Sequence, residues 1–198
     1  MSTLLYSATM SLDGYIAGPG GDMSWLADHL GDPGPEVEDL MASIGALLIG
    51  RRTFDGDDPN RGTEKEGAFG GAWQGPSVVL THDPPAPDDA PAGGTGGAGG
   101  GDPTAAADGA VTFATDLDTA VRRAKEAAGG RYVNVLGANV ARQCVDAGLL
   151  DEVLVFIAPV LLGEGTPLFA RPGGGRVRLE PLRPGDVGPS RLWFRVVR

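Results

Sequence analysis

Residues 131–169, RYVNVLGANVARQCVDAGLLDEVLVFIAPVLLGEGTPLF, restrict the fold more than any other part of the chain. Tyr132–Leu136 is a short apolar run with two valines, the composition of a strand. Gly137 and Ala138 make a tight turn, and a helix follows from about Asn139 to Ala147 with Gly148 at its C-terminal cap. Asp151–Leu162 is rich in Val, Leu, Ile and Phe, as a buried strand is. A strand–glycine–helix junction gathers backbone N–H groups and the positive end of a helix dipole, which suits a phosphate. The alternative is a glycine that serves the turn alone.

The flanking segments repeat this alternation. Thr3–Thr9 is expected to be a strand, followed by a glycine-rich loop from Met10 to Asp22 that Trp25 and Leu26 close. A loop of this length directly after a strand is often functional. Val37, Leu40, Met41 and Ile44 form one apolar face of a helix expected over Pro35–Gly45. The strand Ala46–Ile49 ends in Gly50-Arg51-Arg52-Thr53, a second strand–glycine junction carrying two guanidinium forks that match phosphate oxygens. Solvated surface charge is the other reading of that pair. Ser77–Thr81 is a further strand with His82 at its end, Val111–Ala114 another, and Leu117–Ala128 a helix capped by Thr115 or Asp116 and ended by Gly129-Gly130. Beyond Phe169, one strand carries Val177, Leu179 and Leu182 and another spans Leu192–Val197, an antiparallel pair at the sheet edge. The pattern is α/β in one domain of 198 residues. It is interrupted by a flexible Gly/Pro-rich loop at about 84–103, whose composition cannot offset the entropy of ordering it.

Composition narrows the function classes. A net charge of −10 argues against a general nucleic-acid binder. No run of about 18 apolar residues marks a membrane span, and no signal peptide is evident at the start. Cys144 is the only cysteine, which fits a reducing, cytoplasmic compartment, and its apolar surroundings make it a core residue. Two histidines, His29 and His82, do not make a histidine metal site. Asp57-Asp58-Pro59, in an acidic, glycine-rich excursion, is either a turn or a place where Asp57 meets substrate hydroxyls.

Taken in order, SLDGYIAGPGGDMSWL, LLIGRRTF, SVVLTH and VNVLGANVARQCVDAGLLDEVLVFIAPVLLGEGTPLF resemble the dihydrofolate reductase-like family that includes the reductase domain of the bifunctional riboflavin-biosynthesis deaminase/reductase. The resemblance covers nearly the whole chain apart from the Gly/Pro-rich loop. It implies a mostly parallel central sheet with flanking helices, closed by an antiparallel C-terminal edge, and NADPH as hydride donor to a small carbonyl, imine or conjugated substrate. Carried over by motif, Asp13, Gly14 and Ile16 would lie over the nicotinamide, and Gly50, Arg51, Arg52 and Thr53 would hold the pyrophosphate and the 2′-phosphate region. Thr81 and His82 would approach the adenosine. Gly137, Ala138, Asn139 and Val140 would hold the pyrophosphate from the other side. Trp25 and Asp57 are the expected substrate contacts. The proton donor is water, or Asp13 if its pKa is raised. Relatives often carry a second glycine where this chain has Ala138, and the deaminase zinc motif is missing. A homodimer is expected, both from the family and from the apolar character of Asp151–Leu162. The other functional reading is a nucleotide- or small-ligand-binding protein of the same fold without turnover.

Overall fold

The computed structural model describes residues 1–27, 29, 35–56, 67–85, 109–182 and 190–197. Its elements run β1 (Leu4–Ser11), β2 (Tyr15–Ala17), α1 (Pro35–Ser43), β3 (Ile44–Gly50), α2 (Arg51–Asp55), β4 (Ser77–Leu80), β5 (Val111–Ala114), α3 (Leu117–Ala128), β6 (Tyr132–Leu136), α4 (Ala138–Asp146), β7 (Glu152–Ala158), β8 (Thr166–Pro167), β9 (Arg178–Pro181) and β10 (Arg191–Val197). Eight strands form one sheet in the order β5-β4-β3-β6-β1-β7-β10-β9, while β2 and β8 make a separate ribbon. The first six of these are parallel, and β10 and β9 close the edge antiparallel. This is the architecture the resemblance implies.

Alternation along the strands divides the core between the two faces of the sheet. On one face Leu4, Tyr6, Val133, Val135, Val153 and Val155 pack with Ala120, Ala124 and Ala128 of α3 and with Val140, Ala141 and Cys144 of α4. On the other, Leu5, Leu47, Ile49 and Leu154 meet Leu40 of α1, Phe54 of α2, and Phe69 and Trp73. Burial pushes the Cys144 thiol up to about 12, as expected of a core thiol with no nucleophilic role. Capping fixes α3: the Asp116 carboxylate accepts from Thr119 N–H at 2.8 Å, and Gly129 ends the helix in the left-handed conformation.

Two element boundaries need correction. The first helix stops at Ser43, and Ile44 and Gly45 belong to β3. Packing decides this, because a Cβ at Gly45 would stand 2.3 Å from the Ala128 carbonyl oxygen; the end of α3 presses on the strand there. The strand after α4 ends at Ala158, not at Leu162. It lies between β1 and β10, paired on both edges. Its apolar composition is therefore that of an inner strand and gives no argument for a second subunit. The Gly/Pro-rich loop lies outside the described residues apart from Pro84 and Pro85.

Candidate functional site

The carboxyl ends of the parallel strands share one edge of the sheet, and β3 and β6 are neighbours in it, with Ile49 opposite Leu136. From β3 the chain leaves through α2 toward β4, on one side. From β6 it leaves through α4 to β7, on the other. The crevice between them is a topological switch point, where open α/β sheets bind ligands. A notch adjoins it. β6 ends at Leu136, while β1 runs on, and its residues Ser7 to Ser11 pair with β7 alone. Ser7, Ala8, Thr9 and Met10 are half-buried although they lie on an inner strand.

Two glycine-led helix starts meet in the crevice. Gly137 has φ +102° and ψ 130°, a conformation that glycine alone adopts readily, and it turns the chain from β6 into α4. A Cβ there would lie 2.5 Å from Thr53 Oγ1 and 4.0 Å from the Gly50 nitrogen. A Cβ at Gly50 would lie 2.9 Å from Val140 Cγ2. Gly137 is thus close against Thr53, and Gly50 against Val140, which brings the two junctions together. Among the described residues no side chain caps either helix start, in contrast to α3. The first N–H groups of both helices, at Arg51–Thr53 and Ala138–Val140, precede the first intrahelical bonds, and the two helix starts lie beside each other at this crevice. Asn139 directs its side-chain oxygen to Arg142 at 3.0 Å, so its contribution to the crevice is its backbone.

The two arginines differ. The Arg51 Nε donates to the Asp55 carboxylate, and its Nη1 reaches the Asp83 carbonyl at 3.5 Å. Arg51 is therefore partly committed within the protein, as a structural arginine would be. Arg52 is exposed and has no ion pair or hydrogen bond from its side chain among the described residues. Thr81 is buried, and its hydroxyl both donates to the Asp83 carbonyl and accepts from the Asp83 N–H, each at 3.2 Å. It shapes the turn after β4, which leaves the exposed His82 beside the Arg51 contact.

Asp13 departs most from expectation. Its Oδ1 accepts from Ser11 Oγ at 2.5 Å and from Leu162 N–H at 3.1 Å, and its Oδ2 accepts from Gly163 N–H at 2.7 Å. The Ser11 hydroxyl, then the Gly163 amide, hold the carboxyl below the usual carboxylate range. A proton donor needs the opposite shift, so the raised pKa on which Asp13 as the acid depends is not what these hydrogen bonds favour. Gly14 and Ile16 follow in the same loop, whose Tyr15–Ala17 strand pairs with Thr166–Pro167. Trp25 stands in a single 3₁₀ turn, its Nε1 buried without a hydrogen-bond partner among the described residues and its ring tilted 52° to His29. Asp57 lies outside the described residues.

Sequence reasoning missed Ser11, Leu162 and Gly163 as partners of Asp13. The only signal was the hydroxyl two positions before the acid, since the other two partners lie about 150 residues away. A concavity of about 510 Å³ lined by Met1, Val121, Lys125 and Leu149 lies at the amino edge of the sheet, remote from these residues.

Comparison with known proteins bears on the fold. Proteins YyaP and YwjB of Bacillus subtilis (strain 168) are each 27% identical to the chain, over 178 and 168 residues, covering 84% of it and 79% and 82% of themselves. A structure from Shewanella sp. PV-4, named for riboflavin biosynthesis, superposes with a TM-score of 0.66 at 21% identity over 99% of both chains. The riboflavin biosynthesis reductase Rib7 of Saccharomyces cerevisiae gives 0.52 at 17% identity, over 100% of this chain and 89% of that one. The Thermotoga maritima deaminase/reductase gives 0.58 at 16% identity, with 98% of this chain on 56% of that one. These structures share the fold. The family model of the RibD C-terminal domain matches residues 2–188, and the chain belongs to that family.

Proposed function

We propose that the chain is an NADPH-dependent reductase of a small carbonyl, imine or conjugated substrate. The observation that carries this reading is the pair of uncapped, glycine-led helix starts side by side at the β3/β6 switch point. The crevice fits a dinucleotide diphosphate: two helix starts adjoin there, and the two glycines leave space that a Cβ would fill. The bound cofactor supplies a hydride. The protein binds and orients. Residues 50–53 and 137–140 hold the diphosphate by backbone amides, and Arg52, with the remaining Nη2 of Arg51, faces the adenosine phosphate. The notch along β1 takes the nicotinamide and the substrate beside it. Asp13 stays ionised and gives no proton.

Titration of the wild type, Arg51→Ala and Arg52→Ala with NADPH and NADH tests this reading. A charge-assisted Arg–phosphate contact contributes roughly 1.5–3 kcal/mol, or about ten- to a hundredfold in affinity. Arg52→Ala is expected to narrow the NADPH/NADH affinity ratio by that factor, and Arg51→Ala by less, because Asp55 already occupies its Nε. Equal effects on both nucleotides would show that these arginines do not read the 2′-phosphate. Absence of wild-type binding at millimolar NADPH would end the reductase reading. Binding without oxidation across a substrate panel would favour the nucleotide-binding alternative.

A further inference from the structure

We propose that Asp13 is a positioning residue, a latch whose carboxylate fixes the loop beside the nicotinamide notch by clamping two backbone amides of the segment after β7. This rests on the reductase reading of the same site and specifies how that site is held closed.

The loop and the later segment form one unit. Leu12 N–H donates to the Val160 carbonyl at 2.8 Å, and Leu168 N–H donates to the Gly14 carbonyl at 2.8 Å. A Cβ at Gly165 would lie 2.0 Å from the Ala17 carbonyl oxygen, so the backbones touch. Within this unit, among the described residues, Asp13 is the one side chain whose hydrogen bonds tie residues 11–13 to residues 162–163, and it accepts from three donors. Ser11 completes the latch: its Oγ donates to Asp13 and accepts from Tyr15 N–H at 2.9 Å, fixing the turn that Gly14 makes. The unit begins at the carboxyl end of β1, the strand that borders the notch. A carboxylate with three donors on one loop and one neighbouring segment sets where that loop lies. Hydride transfer depends on such placement, since the reacting atoms must approach closely and water must be kept out.

The chemistry distinguishes the acid from its amide. Both carboxylate oxygens accept, one from two donors and the other from one. In Asp13→Asn the amide NH₂ must face a donor whichever way it is turned, so one clamp opens.

The test compares the full-length wild type, Asp13→Ala, Asp13→Asn and Ser11→Ala with two probes, NADPH and adenosine 2′,5′-bisphosphate. The second probe carries no nicotinamide. Asp13→Ala and Asp13→Asn are expected to weaken NADPH at least tenfold while the bisphosphate changes less than twofold. Ser11→Ala keeps both backbone clamps and is expected to give a smaller loss in the same direction; it serves as the test if the Asp13 variants fail to fold. Hydrogen exchange at the Leu162 and Gly163 amides is expected to accelerate in the Asp13 variants without any ligand. Parallel loss of both probes, loss of neither, or unchanged exchange would overturn the latch. Failure of the wild type to bind either probe would overturn the reductase reading, and the latch with it.

Discussion

Gly137→Ala separates the physical reasons for a glycine at the head of α4. The residue adopts φ +102°, which costs a side-chain-bearing residue about 1–3 kcal/mol. The new methyl would also sit 2.5 Å from Thr53 Oγ1, well inside contact distance. Crowding of this kind costs about 1–3 kcal/mol, and here falls near the lower end because Thr53 is exposed and can turn about its χ1 bond. The sum is about 2–4 kcal/mol, a large share of the 5–15 kcal/mol typical of a folded domain. For a chain of this size it lowers the melting temperature by roughly 4–16 °C. Thr53→Ala alone is expected to lie within about 0.5 kcal/mol of wild type, as a surface change. Added to Gly137→Ala it should recover about 1 kcal/mol, the crowding part, and leave the backbone part. Thermal and urea unfolding of the four proteins give the cycle. A melting temperature for Gly137→Ala within a degree of wild type would refute the backbone argument. A full loss that Thr53→Ala does not relieve would refute the close approach of α2 to α4.

The remaining predictions concern stability and pH. Gly50→Ala meets Val140 Cγ2 at 2.9 Å but has an ordinary φ of −78°. It should cost no more than about 1 kcal/mol in urea unfolding, and less in a Val140→Ala background, because crowding is its only penalty. Glu152 is buried on β7 and accepts from Trp193 Nε1 at 3.0 Å and Tyr132 Oη at 3.1 Å. Burial raises its pKa, and the two donors lower it only in part. The folded state then binds the proton more tightly than the unfolded chain does, so this carboxyl's contribution is fully present below the unfolded value near 4.3 and is lost as pH rises through the folded value. Glu152→Gln keeps the accepting oxygen without the charge. Its melting temperature should exceed that of wild type at pH 7–8, with the difference closing toward pH 4; a constant difference would show that the carboxyl titrates normally.

The fold was legible because its signals are local. Alternating apolar strands, the Asp116 cap and the glycine ends of α3 and α4 each act within a few residues. Boundaries failed where a distant contact decided them. Ile44 fits the helical period of α1, yet the approach of Ala128 to Gly45 pulls it into β3. Val160–Leu162 has the composition of a strand, yet its backbone turns away, and the Leu162 amide is taken by Asp13. The same limit governed the site. The two strand–glycine junctions were readable as phosphate-binding candidates, and the structure places them in contact. The state of Asp13 was not readable, because two of its three donors come from the far end of the chain. Arg51 and Arg52 look equivalent in sequence, and only the pairing of Arg51 with Asp55 and the Asp83 carbonyl separates them.

The place of β1 in the sheet bears on how the chain is made. Leu4, Leu5 and Tyr6 leave the ribosome early, but their partners lie on β6 at residues 133–135 and on β7 from residue 152 on. At about 5–20 residues per second, roughly 6–26 s pass before the first partner is synthesised. For that interval a strand whose Leu4, Leu5 and Tyr6 are buried in the folded protein has no ladder to join. Closing the chain over so many residues also carries an entropic cost that only the completed sheet offsets. The decisive step of folding therefore waits for β6 and β7. A protein cut before β7 would leave β1 with an open edge, a template for pairing with other chains.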